Sequence, residues 1–382
     1  MRVLGVMSGT SVDAIDLAVA EFTRDDETLV LTPLAHAEVA WPAGLRADLL
    51  AALPPGTSDV GTWCRLDTEV GHALGAACAP LAREFAVDLV SCHGQTLFHW
   101  VEGATARGTL QVGNPAWVHA ATGAPVVSDL RSADIAAGGQ GAPLASTLDA
   151  LWLGDEPTAA LNLGGIANIT LVGPDRAPVS GDTGPASCLL DAAAQRFTGQ
   201  PCDLDGGLAR AGTVDRDALA TLLADPFYAR PLPKSTGREH FHADHVTDLL
   251  GDRTPSGPDL FATLTELTAR TVADAVAAHP EVRRVVASGG GLRNPALVER
   301  LRHHLTVPLV PTDDLGLPSD AKEAHLFALL GYLSVHGLPG TIAGATGAHR
   351  PAVLGSLTPP VAVGPLDVRP VRRVRIHTQE DR

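Results

Sequence analysis

Residues 7–16, MSGTSVDAID, constrain this chain more than any other stretch. Apolar segments flank it at residues 3–6 and 15–19, while its middle is small and polar. That pattern predicts a β-hairpin whose turn offers backbone N–H groups and the hydroxyls of Ser8, Thr10 and Ser11 to an anion. Asp13 and Asp16 lie on the far side of the turn, where a carboxylate suits a water-shelled Mg2+. A second hairpin of the same kind is predicted at 160–171, ALNLGGIANITL, again with a glycine turn between apolar runs. Two such turns imply a duplicated phosphate grip.

A chain of 382 residues is long for a single core, so two domains are expected. The formal charge of -15 argues against a nucleic-acid partner, which requires a basic surface. An anionic substrate must then be held by local donors. No apolar run approaches the span of about 18 residues that a membrane helix needs, and no secretory signal is expected from the short apolar run ahead of residue 7. The five cysteines form no C-x-x-C pair, which favours reduced, packed thiols over a disulfide frame or a zinc site. Of the 28 basic residues only two are lysines, Lys234 and Lys322. A lysine retained in so arginine-biased a chain points to a place that needs a compact ammonium, with chance as the plain alternative.

Along the chain, residues 2–37 alternate as a three-stranded antiparallel meander. Residues 43–53 and 59–85 have helical spacing, with Ser58 expected to cap the longer helix. Residues 87–92 form a short buried strand that empties into a polar HGQT loop, the usual address of a ligand site in an open α/β sheet. A helix at 114–121 and a strand at 125–128 follow. The segment 129–143, rich in glycine and charge, is the expected boundary between lobes. Beyond it come a helix at 143–153, the second hairpin, and GDTGP at 181–185 opening a helix that runs to about residue 197. After loop-rich residues 203–237, a helix at 256–279, a strand at 282–287, SGGGLRN at 288–294 and a last helix reaching His336 complete the core. The final dozen residues are expected to be solvated.

Three glycines between a strand and a helix, Gly289, Gly290 and Gly291, let backbone approach a ligand where the helix start adds positive potential. A tight turn alone explains one of them. Asp182-Thr183-Gly184 resembles half of an aspartic-protease pair, but no second such triplet occurs to share a proton. The other chemistry is a single carboxylate at a strand end, ionised at neutral pH and able to orient and deprotonate a water or hydroxyl; a helix N-cap is the structural alternative. His240, His242, Asp244 and His245 match no structural zinc spacing and read as a wet surface. His93 and Gln95 suit sugar hydroxyls, although a histidine at a strand end is often a satisfied core residue. No Walker A loop, G-x-G-x-x-G or H-E-x-x-H motif is present.

Taken in order, MSGTSVDAID, HGQT, GGQGAP, DTGP, PKSTGRE, SGGGLRN, DAKEA and the late T-G-A-x-R-P at 346–351 resemble anhydro-N-acetylmuramic acid kinases. Each motif alone is weak, but eight in order are specific. The resemblance implies an α/β, two-lobed actin-like/hexokinase-like (ribonuclease H-like) ATPase fold, with duplicated mixed five-stranded sheets closing on Mg2+ and ATP in a central cleft. One lobe is expected to span 1–128 plus roughly 346–382, the other 129–345. It further implies a cytoplasmic enzyme of cell-wall recycling that hydrolyses the 1,6-anhydro ring of 1,6-anhydro-N-acetylmuramic acid and phosphorylates O6.

Carried over position by position, Asp182 matches the family's catalytic base. Gly9, Thr10, Ser11, Val12, Asp13, Ala14, Ile15 and Asp16 match the ATP-phosphate turn, with Asp13 reaching metal through water. Gly164 and Gly165, with Asn168 of the same hairpin, match the second phosphate turn, and Gly289 to Gly291 the nucleotide-side loop. Glu323 matches a substrate-contacting glutamate, while His93, Gln95 and Arg131 fall in segments lining the sugar pocket. Partners are expected to be small molecules, without nucleic acid or membrane, and self-association as a homodimer stays open. The chain departs from the family pattern at Ala14, where glycine is usual, and at Ala186-Ser187, where Gly-Asn is usual. Another sugar kinase of the same superfamily, or a non-catalytic sugar- or nucleotide-sensing protein, is the competing expectation.

Overall fold

The computed structural model describes residues 1–382 apart from 55, 104, 175, 238–239, 362–366, 368 and 378–382. Strands β1 (Arg2–Ser8), β2 (Ala14–Asp25) and β3 (Thr28–Ala40) form the antiparallel meander that the alternation predicts. β4 (Leu89–Glu102) folds back on β5 (Thr105–Val112) and lies parallel to β1, and β6 (Val126–Ser128) lies parallel to β4. The core order is therefore β3-β2-β1-β4-β6. A second sheet is built from β7 (Thr158–Leu163), β8 (Ile166–Val172), β9 (Val179–Pro185), β10 (Arg284–Ser288) and β11 (Leu309–Pro311). Its order, β9-β8-β7-β10-β11, repeats the first, with two antiparallel pairings on one side and two parallel ones on the other. The repeat gives the chain the duplicated mixed-sheet core that the resemblance implies.

The first sheet is larger than the five strands expected. Among the described residues it has eight, because β5, β12 (Ser356–Thr358, antiparallel to β6) and β13 (Arg373–Ile376, parallel to β3) extend it. β13 lies within the dozen residues expected to be solvated. Its Val374 is buried, so an apolar alternation too short to read alone is fixed by pairing with a strand more than 300 residues earlier.

Two compact units result, one of Met1–Trp152 with Ala321–Arg382 and one of Leu153–Asp320. Both crossings differ from the expected boundaries at 128/129 and 345/346. The helix Lys322–Val335 accounts for the later one: eleven of its 14 residues are buried and it packs on β1, β2 and β4. The approach is close enough that a Cβ at Gly5 would stand 1.9 Å from the Ala324 carbonyl oxygen, so only glycine fits there. The helix Ala145–Leu153 stays with the first unit through Thr147, which donates to the Gly340 carbonyl at 2.8 Å, and through Asp149, paired with buried Lys322 at 2.6 Å.

Each unit has its own core. In the first, the helix Val60–Glu84 places Leu66, Val70, Leu74 and Cys78 at four-residue intervals against Leu4, Val6, Leu17 and Val90. Each such burial is worth roughly 1.5–3 kcal/mol. Its cap is Asp59, not Ser58: the Asp59 carboxylate accepts the Thr62 N–H at 2.8 Å, because a cap must sit one residue ahead of the first helical turn. In the second, Leu161, Ile169 and Val285 meet Val272, Leu297 and Leu301.

HGQT, expected in a loop, and DTGP, expected to open a helix, both lie in strands. β4 runs on through HGQT, since β5 supplies the ladder partners that residues 95–102 could not advertise locally. DTGP belongs to β9, and the helix begins only at Ser187, because residues 179–185 are consumed in pairing with β8.

Candidate active site

The β1–β2 turn is held by side chains. Ser8 is buried and its hydroxyl donates to the Ala14 carbonyl at 2.8 Å while accepting the indole N–H of Trp41 at 3.1 Å, so this hydroxyl is not offered to an anion. Thr10 is exposed and Ser11 half-buried, and both remain at the rim. Val12 takes a left-handed conformation, φ 53°, although it is β-branched and fully buried. Such a residue costs on the order of 1–3 kcal/mol and persists only where its surroundings over-determine it. Here they do: the Val12 N–H reaches the Gly9 carbonyl at 3.1 Å, and the Arg46 guanidinium takes the Val12 carbonyl at 2.8 Å. Ala14 opens β2 outside the left-handed region, so its methyl is tolerated where the family usually has glycine. Asp13 is 70% exposed and loosely paired with Arg46 at 3.4 Å. Ile15 is buried and Asp16 half-buried, both on β2.

Gln95 does not face outward as a sugar ligand would. It is fully buried, and its amide N–H2 donates to the Gly9 carbonyl at 3.1 Å, which ties β4 to the β1–β2 turn.

The β7–β8 turn is held by backbone. The carbonyls of Gly164 and Gly165 accept the N–H groups of Ala186, Ser187 and Cys188, which are the donors a helix start leaves unpaired. In planar trans peptides the N–H groups of Gly165 and Ile166 then point the opposite way, out of the turn. Ala186 and Ser187 serve this arrangement through backbone alone, so their departure from the family pattern leaves it intact. Gly289, with φ 92°, closes on the same hairpin: a Cβ there would lie 2.6 Å from the Asn162 side-chain oxygen and 2.8 Å from the Leu163 carbonyl. Gly290 has open space around it, and Gly291 is buried.

Asp182 stands on β9 beside this turn, half-buried. One carboxylate oxygen accepts the Asn168 amide at 3.0 Å; the other accepts the Thr236 N–H at 2.8 Å and the Ser235 hydroxyl at 3.3 Å. Its own N–H is fixed by the Lys234 carbonyl at 2.8 Å. Asn168, expected as an ATP contact, braces the carboxylate through its amide N–H2. Lys234 is buried, its ammonium bonded to the Phe227 and Tyr228 carbonyls and seated 4.5 Å from the Phe227 ring centre. Burial and Arg230 lower its pKa, and Asp182 works against that shift. Both retained lysines are buried and paired, as places that need a compact ammonium would have them. The last two residues of the PKSTGRE motif, 238 and 239, lie outside the described residues.

The first unit carries a polar pocket. Arg131 donates through Nε to His93 Nε2 at 2.8 Å and to the Gly141 carbonyl at 2.6 Å. His93 Nε2 is therefore an acceptor, and its Nδ1 proton goes to the Gly94 carbonyl at 2.9 Å. Burial, then the Arg131 charge, push His93 well below the usual histidine range, so it is neutral and both ring nitrogens are spent. Burial also lowers Arg131, to about 10, against the pull of Glu323 and Asp134. Glu323, the second residue of the helix Lys322–Val335, keeps exposed surface although protein crowds it from several sides, and that crowding raises its carboxyl against the pull of Arg131 and Lys322. Asp134 is buried and accepts the Gly141 N–H and the Thr346 hydroxyl, each at 2.7 Å, which joins GGQGAP to the late T-G-A-x-R-P motif. A cavity of about 280 Å³ opens beside His93, lined also by Asp67, Gln111, Asn114, Asp129 and Ser132.

The family model for anhydro-N-acetylmuramic acid kinase matches residues 1–360. The chain belongs to this family. Among curated relatives bearing that name, it is 52% identical over 375 residues to the one from Rhodococcus erythropolis, with 94% of each chain covered. It is 52% identical over 368 residues to that of Streptomyces coelicolor, again with 94% of each covered. The Salinibacter ruber relative is 41% identical over 381 residues, covering 94% of this chain and 96% of that one. Within the family frame, the residues missed from sequence are the ones that act through others: Ser235 and Thr236 on Asp182, Asp134 under Arg131, Arg46 on the first turn. Ser235 and Thr236 carried one signal, membership of PKSTGRE, whereas Asp134 and Arg46 lie outside every motif and carried none.

Proposed function

We propose that this chain is an ATP-dependent kinase that opens the 1,6-anhydro ring of 1,6-anhydro-N-acetylmuramic acid and phosphorylates O6, giving N-acetylmuramic acid 6-phosphate and ADP in cell-wall recycling. The observation that carries this is the single carboxylate of Asp182, held by three donors at the edge of a glycine turn that faces its N–H groups outward. Water attack at C1 passes through an oxocarbenium-like state, which a fixed carboxylate stabilises while it accepts the water's proton. The new bond is C1–O from water and the bond broken is C1–O6. O6 then bonds to the γ-phosphorus as the bond from that phosphorus to the β-phosphate oxygen breaks. One carboxylate suffices because phosphoryl transfer, not a second acid, captures the departing oxygen.

In this proposal the turn at residues 9–16 and Gly164, Gly165 and Gly289 to Gly291 hold the nucleotide. Asp13, exposed and only loosely paired with Arg46, would hold a hydrated Mg2+, which would offset phosphate charge. Arg131 and Glu323 contact the sugar, His93 fixes Arg131, and Gln95 fixes the turn. A cytoplasmic setting agrees with five cysteines that are all free thiols. Among the described residues no helix is long and apolar enough to cross a membrane. A homodimer of this chain is part of the proposal. The test is incubation of the full chain with Mg-ATP and 1,6-anhydro-N-acetylmuramic acid, read by mass spectrometry. The expected product gains one phosphoryl group and one water. A product that gains phosphoryl alone, or an unchanged sugar, overturns the proposal.

A further inference from the structure

The second unit gathers three groups that the proposed reaction does not use. Asp225, His240 and His245 each present one ligand atom, and these atoms lie within 4.8 Å of one another. His240 Nε2 meets one oxygen of Asp225 at 2.8 Å, while the other oxygen accepts the Phe227 N–H at 2.8 Å. His245 is only 7% exposed, yet its Nε2 has no hydrogen-bond partner among the described residues. Among the described residues that buried nitrogen is left open to a cation. Phe241 packs edge-on to the His245 ring at 5.0 Å, and Phe227 flanks His240 at 5.9 Å, forming an apolar wall.

A plain His–Asp pair explains the 2.8 Å contact but not a third imidazole nitrogen buried beside it without a partner. Sequence spacing concealed the group because Asp225 lies 15 residues ahead of His240 and reaches it only through the fold. Two imidazoles and one carboxylate form a donor set suited to a borderline cation with one position left to water. Tetrahedral coordination would bring the three atoms to about 3.4 Å apart, a side-chain adjustment.

We propose that Asp225, His240 and His245 form a binding site for a divalent transition cation of the zinc class. Protons compete with the cation for the imidazole nitrogens, so affinity weakens in acid. The same segment carries the Lys234 carbonyl, Ser235 and Thr236, so the cation pins the residues that hold Asp182.

The test uses the full chain stripped with a chelator and titrated with Co2+, read by visible absorption, then with Zn2+ in competition and by thermal unfolding. One equivalent of Co2+ is expected to give an absorption band of tetrahedral intensity that Zn2+ removes, and Zn2+ is expected to raise the Tm. Asp225→Asn keeps an acceptor for Phe227 and is the decisive variant if His245→Ala fails to fold. Asp225→Asn and His240→Ala are each expected to weaken binding by more than the roughly 10–100-fold of an outer-shell loss. His242→Ala is expected to leave it unchanged. Absence of the cobalt band overturns the proposal. So does binding that survives Asp225→Asn but is lost with His242→Ala, which would place the ion on the surface pair His242–Asp248.

Discussion

The two glycine turns sit at equivalent places in equivalent sheets, yet they are held in different ways. The first, between β1 and β2, depends on side chains from elsewhere: Trp41 on Ser8, Arg46 on Val12, Gln95 on Gly9. These keep a buried valine at φ 53°. The second, between β7 and β8, depends on backbone: a helix start donates into Gly164 and Gly165, and Gly289 closes against Asn162 and Leu163. A turn braced by side chains should weaken in steps as each brace is removed. A turn braced by backbone should ignore most distant substitutions and fail when a Cβ is added.

The largest effect is expected beside the second turn. Asp182→Asn should lower kcat by about 10³-fold or more, near the upper range for losing a general base, with ATP affinity unchanged by calorimetry. Wild-type-like turnover would remove the catalytic assignment. Next, Gly289→Ala should raise the KM for ATP about tenfold and lower the Tm, at a cost on the order of 1–3 kcal/mol, because its Cβ meets backbone in a left-handed conformation. Gly290→Ala should do neither, and equal effects would show that packing does not separate the two. In the first turn, Gln95→Ala should raise the KM for ATP by a smaller factor, about 1 kcal/mol, and leave the KM for sugar alone. The reverse split would return Gln95 to the sugar pocket. Smallest of all, Ala14→Gly should destabilise the fold by about 0.5–1 kcal/mol with no gain in ATP affinity, since β2 requires no left-handed residue there. A clear gain in affinity would mean that the methyl obstructs the phosphate.

What could be seen in the sequence was whatever is written locally. The alternation of residues 2–37, the helix Val60–Glu84 and both glycine hairpins have periods short enough to show on their own. Features fixed by distant partners were hidden. HGQT looked like a loop because β5 had not yet been placed beside it, and DTGP looked like a helix start because β8 had not. The unit boundaries were misplaced because Gly5 and Ala324 meet across more than 300 residues. For the site, motifs located the segments while hydrogen bonds divided the labour. His93, Gln95 and Asn168 were each expected to touch a ligand, and each also has a partner within the fold, in Arg131, Gly9 or Asp182. Polar residue types at a motif cannot distinguish a hand from the wrist behind it.

The most direct test of a lone carboxylate activating water is the reaction run in 18O-labelled water, with the product fragmented in the mass spectrometer. One labelled oxygen at C1 of the 6-phosphorylated sugar, and none in the transferred phosphoryl group, is the predicted result. Label in the phosphoryl group, or an unlabelled C1, would contradict it.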